Sequence, residues 1–386
     1  MNLAAASRAL LAGNFAIGCG VMVVAGSLND LVASLQVSVA LGGQLISVAA
    51  VAMAAGAPLL AVWWGNADRR LLLTLALLWY AAGHLISAFM PSYAALLPVR
   101  ALAVLGAAVF TPQAAAAINV MAAPAERGRA MTFIFLGWAS SSVIGMPLHA
   151  WIGESFGWRW AFGLVALLSA AAAVGVWRTV PSGVRPPPLS LRSWGTVLTS
   201  PLLMGLVAVT VLSGAGQFTL FSYLAPYYRQ VLGAGAEGVS FLFLWFGAFG
   251  LLGNIMLTRW ITRLGAARCM ELSLVLITLS FLAWPWALGI AGMAVVVVPW
   301  ALGVFSANSA QQARLSASAP AYAPALLALN TSAIYLGQAM GAATGGAMIA
   351  TTGFGVLHEV ALAFTLLALG LSVWLGLRMR NGTVHG

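Results

Sequence analysis

Twelve stretches of this chain run predominantly apolar for about twenty residues or more, and that pattern decides what it can fold into. They lie at about 8–28, 39–63, 71–90, 93–121, 130–152 and 158–178, then at about 202–227, 237–259, 268–288, 291–314, 324–350 and 357–378. A helix of about 20 apolar residues spans the hydrocarbon of a bilayer. There the backbone must satisfy its own hydrogen bonds. Only 6% of the residues are charged and 62% are hydrophobic. That is too little polar surface for a water-soluble domain, which carries roughly 25% charged residues. The expectation is an all-α integral membrane protein of about 12 transmembrane helices. The first run, Ala9 to Leu28, is too long for a signal-peptide core and has no evident cleavage site, so it reads as the first span.

The one clear linker is Thr179 to Thr196, with Pro181, Pro186, Pro187 and Pro188 beside Arg185 and Arg192. It sets a six-helix bundle at 1–180 and a second at 199–386, joined by a cytoplasmic segment at 181–198. The halves echo each other. Gly145 precedes Gly157 as Gly341 precedes Gly353, and Arg69 and Arg70 match Arg263 and Arg268 as the basic turns of each half. Paired six-span halves suit a transporter with its site between the repeats.

The arginines orient the chain. Every one of the 17 basic residues is Arg. With the N-terminus inside, Arg8, Arg69, Arg70, Arg127, Arg129, Arg178, Arg185, Arg192, Arg259, Arg263, Arg268, Arg378 and Arg380 fall on inner segments. Arg159 and Arg229 fall outside, while Arg100 and Arg314 lie in or near helices. Both termini are therefore expected in the cytoplasm, in a membrane of the bacterial inner (plasma) type. Basic residues spread this thinly form no nucleic-acid patch, despite the net charge of +10. Cys19 and Cys269 are far apart with no Cys-x-x-Cys, so neither a disulfide nor a metal site is indicated, and no cofactor is implied. There is no His-Glu-x-x-His, no Gly-x-Ser-x-Gly and no Walker-type loop, which argues against an enzyme and against ATP-driven transport.

Several segments resemble a known family. Phe15-Ala16-Ile17-Gly18 through Ala25-Gly26, Gly56-Ala57-Pro58-Leu59-Leu60 ending in Arg69-Arg70, and Arg100 with Gly106 occur in the order of that family's motifs. So do Gly137, Gly145, Pro147-Leu148, Gly157-Trp158-Arg159 and Phe162, then Gln311-Gln312-Ala313-Arg314-Leu315, Ala319-Pro320, Ala328-Leu329-Asn330 and Tyr335-Leu336-Gly337. Together they resemble the major facilitator superfamily, in its drug:proton antiporter branch and closest to the arabinose-efflux-permease-like exporters. The resemblance implies the major facilitator fold and export of a small organic solute, coupled to protons, by a monomer in a lipid bilayer. An uncoupled facilitator or importer on the same fold remains open. Two departures stand out: Val21, beside Met22, takes the place of an acidic residue in the first helix. Gly65 and Asn66 replace an Asp and Arg after the second, leaving Asp68 at a Gly position.

All seven carboxylates, Asp30, Asp68, Glu126, Glu154, Glu237, Glu271 and Glu359, map to helix ends or loops. The usual intramembrane proton carrier is thus not visible. Arg100, His149 and His84 are the remaining coupling candidates. Arg100 either binds an anionic group or tunes a proton site, or else snorkels and braces the helix. His149 interrupts the four-residue series Gly137, Ser141, Gly145, Gly153; it is either a pH-sensing ring or a neutral packing residue. His84 reads as structural. Gly337, Gly341 and Gly345 form a small-residue packing face, while Arg69, Arg70, Gly137, Gly145 and Pro147 are gating or packing positions. The cavity implied by the resemblance lies between helices one, four, seven and ten. Its candidates are Asn14, Met22, Arg100, Gln217, Phe221, Tyr228, Trp300, Asn308 and Gln311, of which Gln217, Phe221 and Tyr228 are spaced to share one face. Amides mixed with aromatics suit a neutral or mildly polar organic substrate.

Overall fold

A computed structural model describes residues 2–64, 66–123, 126–185 and 191–382, and every regular element among them is helical. Gly65 and the linker prolines 186–188 lie outside the described residues, as do the side chains of Arg192 and Arg380. The chain divides into two compact units, Met1–Pro188 and Leu189–Gly386. The first contains α1 (Leu3–Gly26), α2 (Val39–Trp63), α3 (Arg69–Ala88), α4 (Tyr93–Met121), α5 (Arg129–Phe156) and α6 (Trp158–Thr179). The second contains α7 (Pro201–Gln230), α8 (Ala236–Leu264), α9 (Ala266–Trp286), α10 (Gly289–Ser318), α11 (Ala323–Thr352) and α12 (Leu357–Met379).

Among the described residues, 11 helices are long and apolar enough to cross a membrane. The expected twelfth, α11, is 30 residues long but is not one of them. Gly337, Gly341, Gly345 and Gly346, with Asn330 and Gln338, dilute its apolarity, because this helix is built for close approach to a neighbour. The expected linker also holds structure: Leu191–Leu198 is a short helix. Its apolar Leu191, Trp194, Val197 and Leu198 recur at helical spacing.

The helix ends follow local chemistry. Side chains of Asn2, Ser38, Asp68, Ser92 and Ser200 accept from the free amides of the first turns of α1, α2, α3, α4 and α7. Gly157, at φ 101°, turns α5 directly into α6, and Gly353, at φ 78°, ends α11. The large apolar side chains left exposed, such as Leu71, Leu75, Leu78 and Trp79 on α3, are the surface that lipid covers.

Each unit contains a helix pair locked through a series of glycines. In the first, a Cβ at Gly145 would come within 2.6 Å of Cys19 Sγ on α1, and one at Gly153 within 2.7 Å of Ser27 Cβ. A Cβ at Gly137 would strike the Leu11 carbonyl. In the second, Cβ atoms at Gly337 and Gly345 would lie 2.6 Å from the carbonyls of Val211 and Thr219 on α7, and one at Gly341 would strike that of Ala215. Lipid chains are as apolar as leucine, so the gain here is backbone contact rather than hydrophobic burial.

The turn between α2 and α3 is stitched to the start of the linker. Asp68 Oδ1 accepts from the Leu71 amide at 3.3 Å, Oδ2 accepts from the Gly183 amide, and the Arg69 amide donates to the Val184 carbonyl at 3.0 Å. Partial burial pushes the Asp68 carboxyl up. Hydrogen bonds from the Gly183, Leu71 and Arg70 backbone, with the charge of Arg185, outweigh it and hold the group below its ordinary value.

Two outcomes follow from this packing. Gly341→Ala lowers the detergent melting temperature by the equivalent of about 1–3 kcal/mol, because the atom it meets is backbone. Gly163→Ala, where nothing lies within 4 Å of an added Cβ, leaves it unchanged or raises it. Because the Asp68 pKa is depressed in the folded state, its stabilisation is present above the ordinary value and lost as pH falls through the lowered one. The melting difference between wild type and Asp68→Asn is therefore constant from pH 8 to about 5 and closes below about pH 4.

Candidate functional site

The first unit encloses a charge. Arg100 is 1% exposed, in the part of α4 that precedes a break at Val104. One guanidinium nitrogen donates to the Gly20 carbonyl of α1 at 2.7 Å and approaches that of Val21 at 3.4 Å. The other lies 2.7 Å from His84 Nε2 on α3. His84 Nδ1 is 2.8 Å from the Tyr80 carbonyl, which can only accept. The proton is therefore on Nδ1, Nε2 is the acceptor for Arg100, and the ring is neutral. A Cβ at Gly20 would sit 2.8 Å from His84 Nε2, so the missing side chain is what admits the ring. The Phe162 ring centroid lies 5.8 Å from the guanidinium carbon. Arg100 thus neither snorkels nor faces an opening: neutral acceptors from α1 and α3 surround it, with the Phe162 ring of α6 beside them.

His149 is fully buried on α5, with neither ring nitrogen in hydrogen-bond distance of a partner. The Cys19 carbonyl and the Arg100 charge are within its electrostatic reach. It follows a turn of π-helix at Ser141–Gly145, and Pro147, which lacks an amide proton, lies two residues past that turn. Asn14 is also buried: it donates to the Ile134 carbonyl at 3.0 Å and accepts from Thr111 at 3.0 Å, tying α1 to α5 and α4. Met22 Sδ accepts from Ser142 at 3.6 Å. Arg69 and Arg70 diverge. Arg69 is 2% exposed and donates to the Ala67 and Trp64 carbonyls within its own turn, while Arg70 stacks on Trp177 of α6 at 4.2 Å.

The second unit contains a small hollow of about 40 Å³, bounded by Thr210, Ser213 and Gln217 of α7, Met270 of α9, and Asn308 and Gln311 of α10. Among the described residues, no charged side chain lines it. Gln217 donates to the Ser213 carbonyl and hydroxyl at 3.2 and 3.0 Å and accepts from Trp300 Nε1 at 3.2 Å. Thr210 donates to Asn330 at 2.6 Å, and Gln311 Nε2 to the Leu206 carbonyl at 2.6 Å.

Three expected cavity residues, Gln217, Asn308 and Gln311, thus meet in one hollow. Phe221 and Trp300 do not line it. Trp300 is fully buried among Phe221, Phe246, Phe281 and Trp284, with ring centroids 5.0–6.3 Å away, and acts by orienting Gln217. The face expected for Gln217, Phe221 and Tyr228 is broken, because α7 is interrupted at Ser222 and Tyr223. Beyond that break Tyr228 is buried against Tyr227 and Phe243. Thr210 and Ser213 were missed; their only signal is a spacing of seven and four from Gln217, on one helix face.

Residues 10–342 match the family model of the Major Facilitator Superfamily. The chain belongs to the major facilitator superfamily. It is 28% identical over 379 residues to the inner membrane transport protein YdhP of Escherichia coli K12, covering 97% of each chain. It is 28% identical over 272 residues to a probable sugar efflux transporter of Mannheimia succiniciproducens, covering 70% of this chain and 68% of the relative. A solved D-xylose–proton symporter shares the fold at TM-score 0.78 and 16% identity, covering 96% of this chain and 97% of the symporter. This major facilitator protein is a multi-pass membrane transporter and not an enzyme.

The Arg100 geometry sets a test. His84→Leu removes an acceptor from a buried cation and lowers stability by about 1–3 kcal/mol or more, whereas His84→Gln, which keeps an acceptor, retains most of it. Melting of both variants in detergent checks this.

Proposed function

We propose that this transporter exports a small, uncharged organic solute by alternating access, with the segments at 1–180 and 199–386 as the two moving bundles and 181–198 as their linker. The observation that carries the reading is the uncharged, amide- and hydroxyl-lined hollow of the second unit. Export, rather than uptake, is supported by the printed name of the Mannheimia relative. The arginine distribution supports both termini in the cytoplasm of an inner (plasma) membrane, and the protein acts as a monomer.

Coupling to protons follows the branch that the motifs resemble, and Arg100, His84 and His149 are the groups through which it acts. A second reading has its own observation in favour. Arg100 is bonded to neutral acceptors, and the acids sit at helix ends or in loops, so no carboxylate is placed as a proton carrier. That arrangement favours an uncoupled facilitator.

Inside-out vesicles energised with a proton gradient, followed with a pH-reporting dye, separate the two. With antiport, addition of a transported uncharged solute dissipates the gradient, and Arg100→Ala abolishes the response. A solute that crosses with no loss of gradient makes the protein a facilitator. Accumulation of every candidate in expressing cells above control cells would overturn export.

A further inference from the structure

The matching basic turns of the two units dispose of their charge differently. Between α2 and α3 it is settled inside the protein: Asp68 supplies a carboxylate, Arg69 donates to the Ala67 and Trp64 carbonyls, and Arg70 stacks on Trp177. Between α8 and α9 stand Arg259, Arg263 and Arg268. All three are exposed, and none has a hydrogen bond, ion pair or ring contact with another described residue. No carboxylate occurs between Glu237 and Glu271. Glu271 is directed at α12 instead: a Cβ at Gly376 would lie 3.4 Å from its Oε1 and 3.6 Å from a terminal nitrogen of the buried Arg314. The turn sits at the edge of the bilayer. At 1.5 Å per residue the 21 residues of α9 span about 31 Å, the thickness of the hydrocarbon, so Arg268 in its first turn lies at one edge and the exposed Trp286 at the other. Gly265, at φ 80°, turns α8 into α9, so Arg259, Arg263 and the half-exposed Trp260 in the last turns of α8 share the edge marked by Arg268.

We propose that this turn binds an anionic phospholipid, its phosphate held by Arg263 and Arg268 with Arg259 one helical turn away, and its acyl chain laid along α9. Arg268 heads a stripe of side chains at helical spacing, Leu272, Val275, Leu279 and Leu282, each 38–51% exposed. Apolar chains cover that stripe, and the guanidinium forks at its head match the paired oxygens of a phosphate diester. Charge complementarity selects the occupant. A soluble anion satisfies the arginines but leaves the adjoining stripe to other molecules, whereas a lipid meets both with one. A zwitterionic lipid also brings an ammonium, for which the turn holds no carboxylate. A bias that only orients the chain requires charge and no particular geometry. Here unengaged donors, the bilayer edge and an apolar stripe coincide, while Arg378 at the end of α12 is stacked on Trp374 at 4.5 Å. The site is independent of the solute and of the direction of transport.

Purified full-length protein in phosphatidylcholine nanodiscs, doped with a photoreactive phosphatidylglycerol or a photoreactive phosphatidylcholine, tests this, with labelled peptides mapped by mass spectrometry. The expected result is labelling by the phosphatidylglycerol concentrated on residues 259–286, with the phosphatidylcholine spread evenly over the exposed helix faces. Combining Arg259→Gln, Arg263→Gln and Arg268→Gln lowers that labelling about five-fold or more. Arg178→Gln, at the exposed end of α6, leaves it unchanged, as does excess inorganic phosphate. Equal enrichment of the two lipids, retention of the label in the triple variant, or an equal loss in Arg178→Gln overturns the proposal. Displacement by inorganic phosphate makes the turn a site for a soluble anion and overturns the lipid. The three side chains hold nothing inside the protein, so the triple variant melts with the wild type in discs of phosphatidylcholine alone, and phosphatidylglycerol raises the melting temperature of the wild type only. If the triple variant fails to fold, the two lipids on the wild-type chain, together with Arg268→Gln alone, decide.

Discussion

In hydrocarbon a polar group has no water to turn to, and every feature of this protein answers to that constraint. It makes the chain helical and forces each helix to find neighbours by close contact. The interlocking of α1 with α5 and of α7 with α11 through glycines is the outcome. Where glycine is replaced by a larger residue on such a face, as at His149, the ring is enclosed completely, with Gly26 of α1 leaving room: a Cβ there would lie 3.0 Å from the His149 Cβ.

The same constraint divides the two polar centres by charge. Arg100 is a permanent cation in a buried position, and it is stable there because two backbone carbonyls and a neutral imidazole point at it. Opposite charge is not required when acceptor dipoles are held in place by two helices, although such a centre is intolerant of losing any of them. The hollow of the second unit is the reverse case. Among the described residues it has no charged lining, and Gln217, Thr210 and Gln311 Nε2 are taken up by neighbours. The first centre is enclosed by its own helices, and the second is the one proposed to meet the solute.

Most of the fold was legible because membrane spans follow from apolar length, which is a local property. The one span that composition alone does not qualify, α11, is informative: its glycines and amides lower its apolarity because they serve packing. The repeat signal was legible too. Gly145 and Gly341 both lie at close helix contacts, and Gly157 and Gly353 both end their helices with positive φ. The site was legible only in part. Gln217, Asn308 and Gln311 stand out as amides in apolar helices, but Thr210 and Ser213 look like any hydroxyl of a membrane helix. Tyr228 was misplaced because an ideal helix was extended through the break at Ser222 and Tyr223.

By itself, then, the sequence determined the apolar spans and the family, since each depends on apolar length, spacing and motif order along the chain. The tertiary structure alone decided which polar residues are spent on holding helices together and which remain available. Asn14 and Arg100 look like cavity residues in the sequence, yet partners from other helices take up the Asn14 amide and both terminal nitrogens of Arg100. Arg100 Nε and Gln311 Oε1, by contrast, stay buried without a hydrogen-bond partner. That difference is invisible in the sequence because a hydrogen bond belongs to two residues, often a hundred positions apart, and only packing brings the second one into reach.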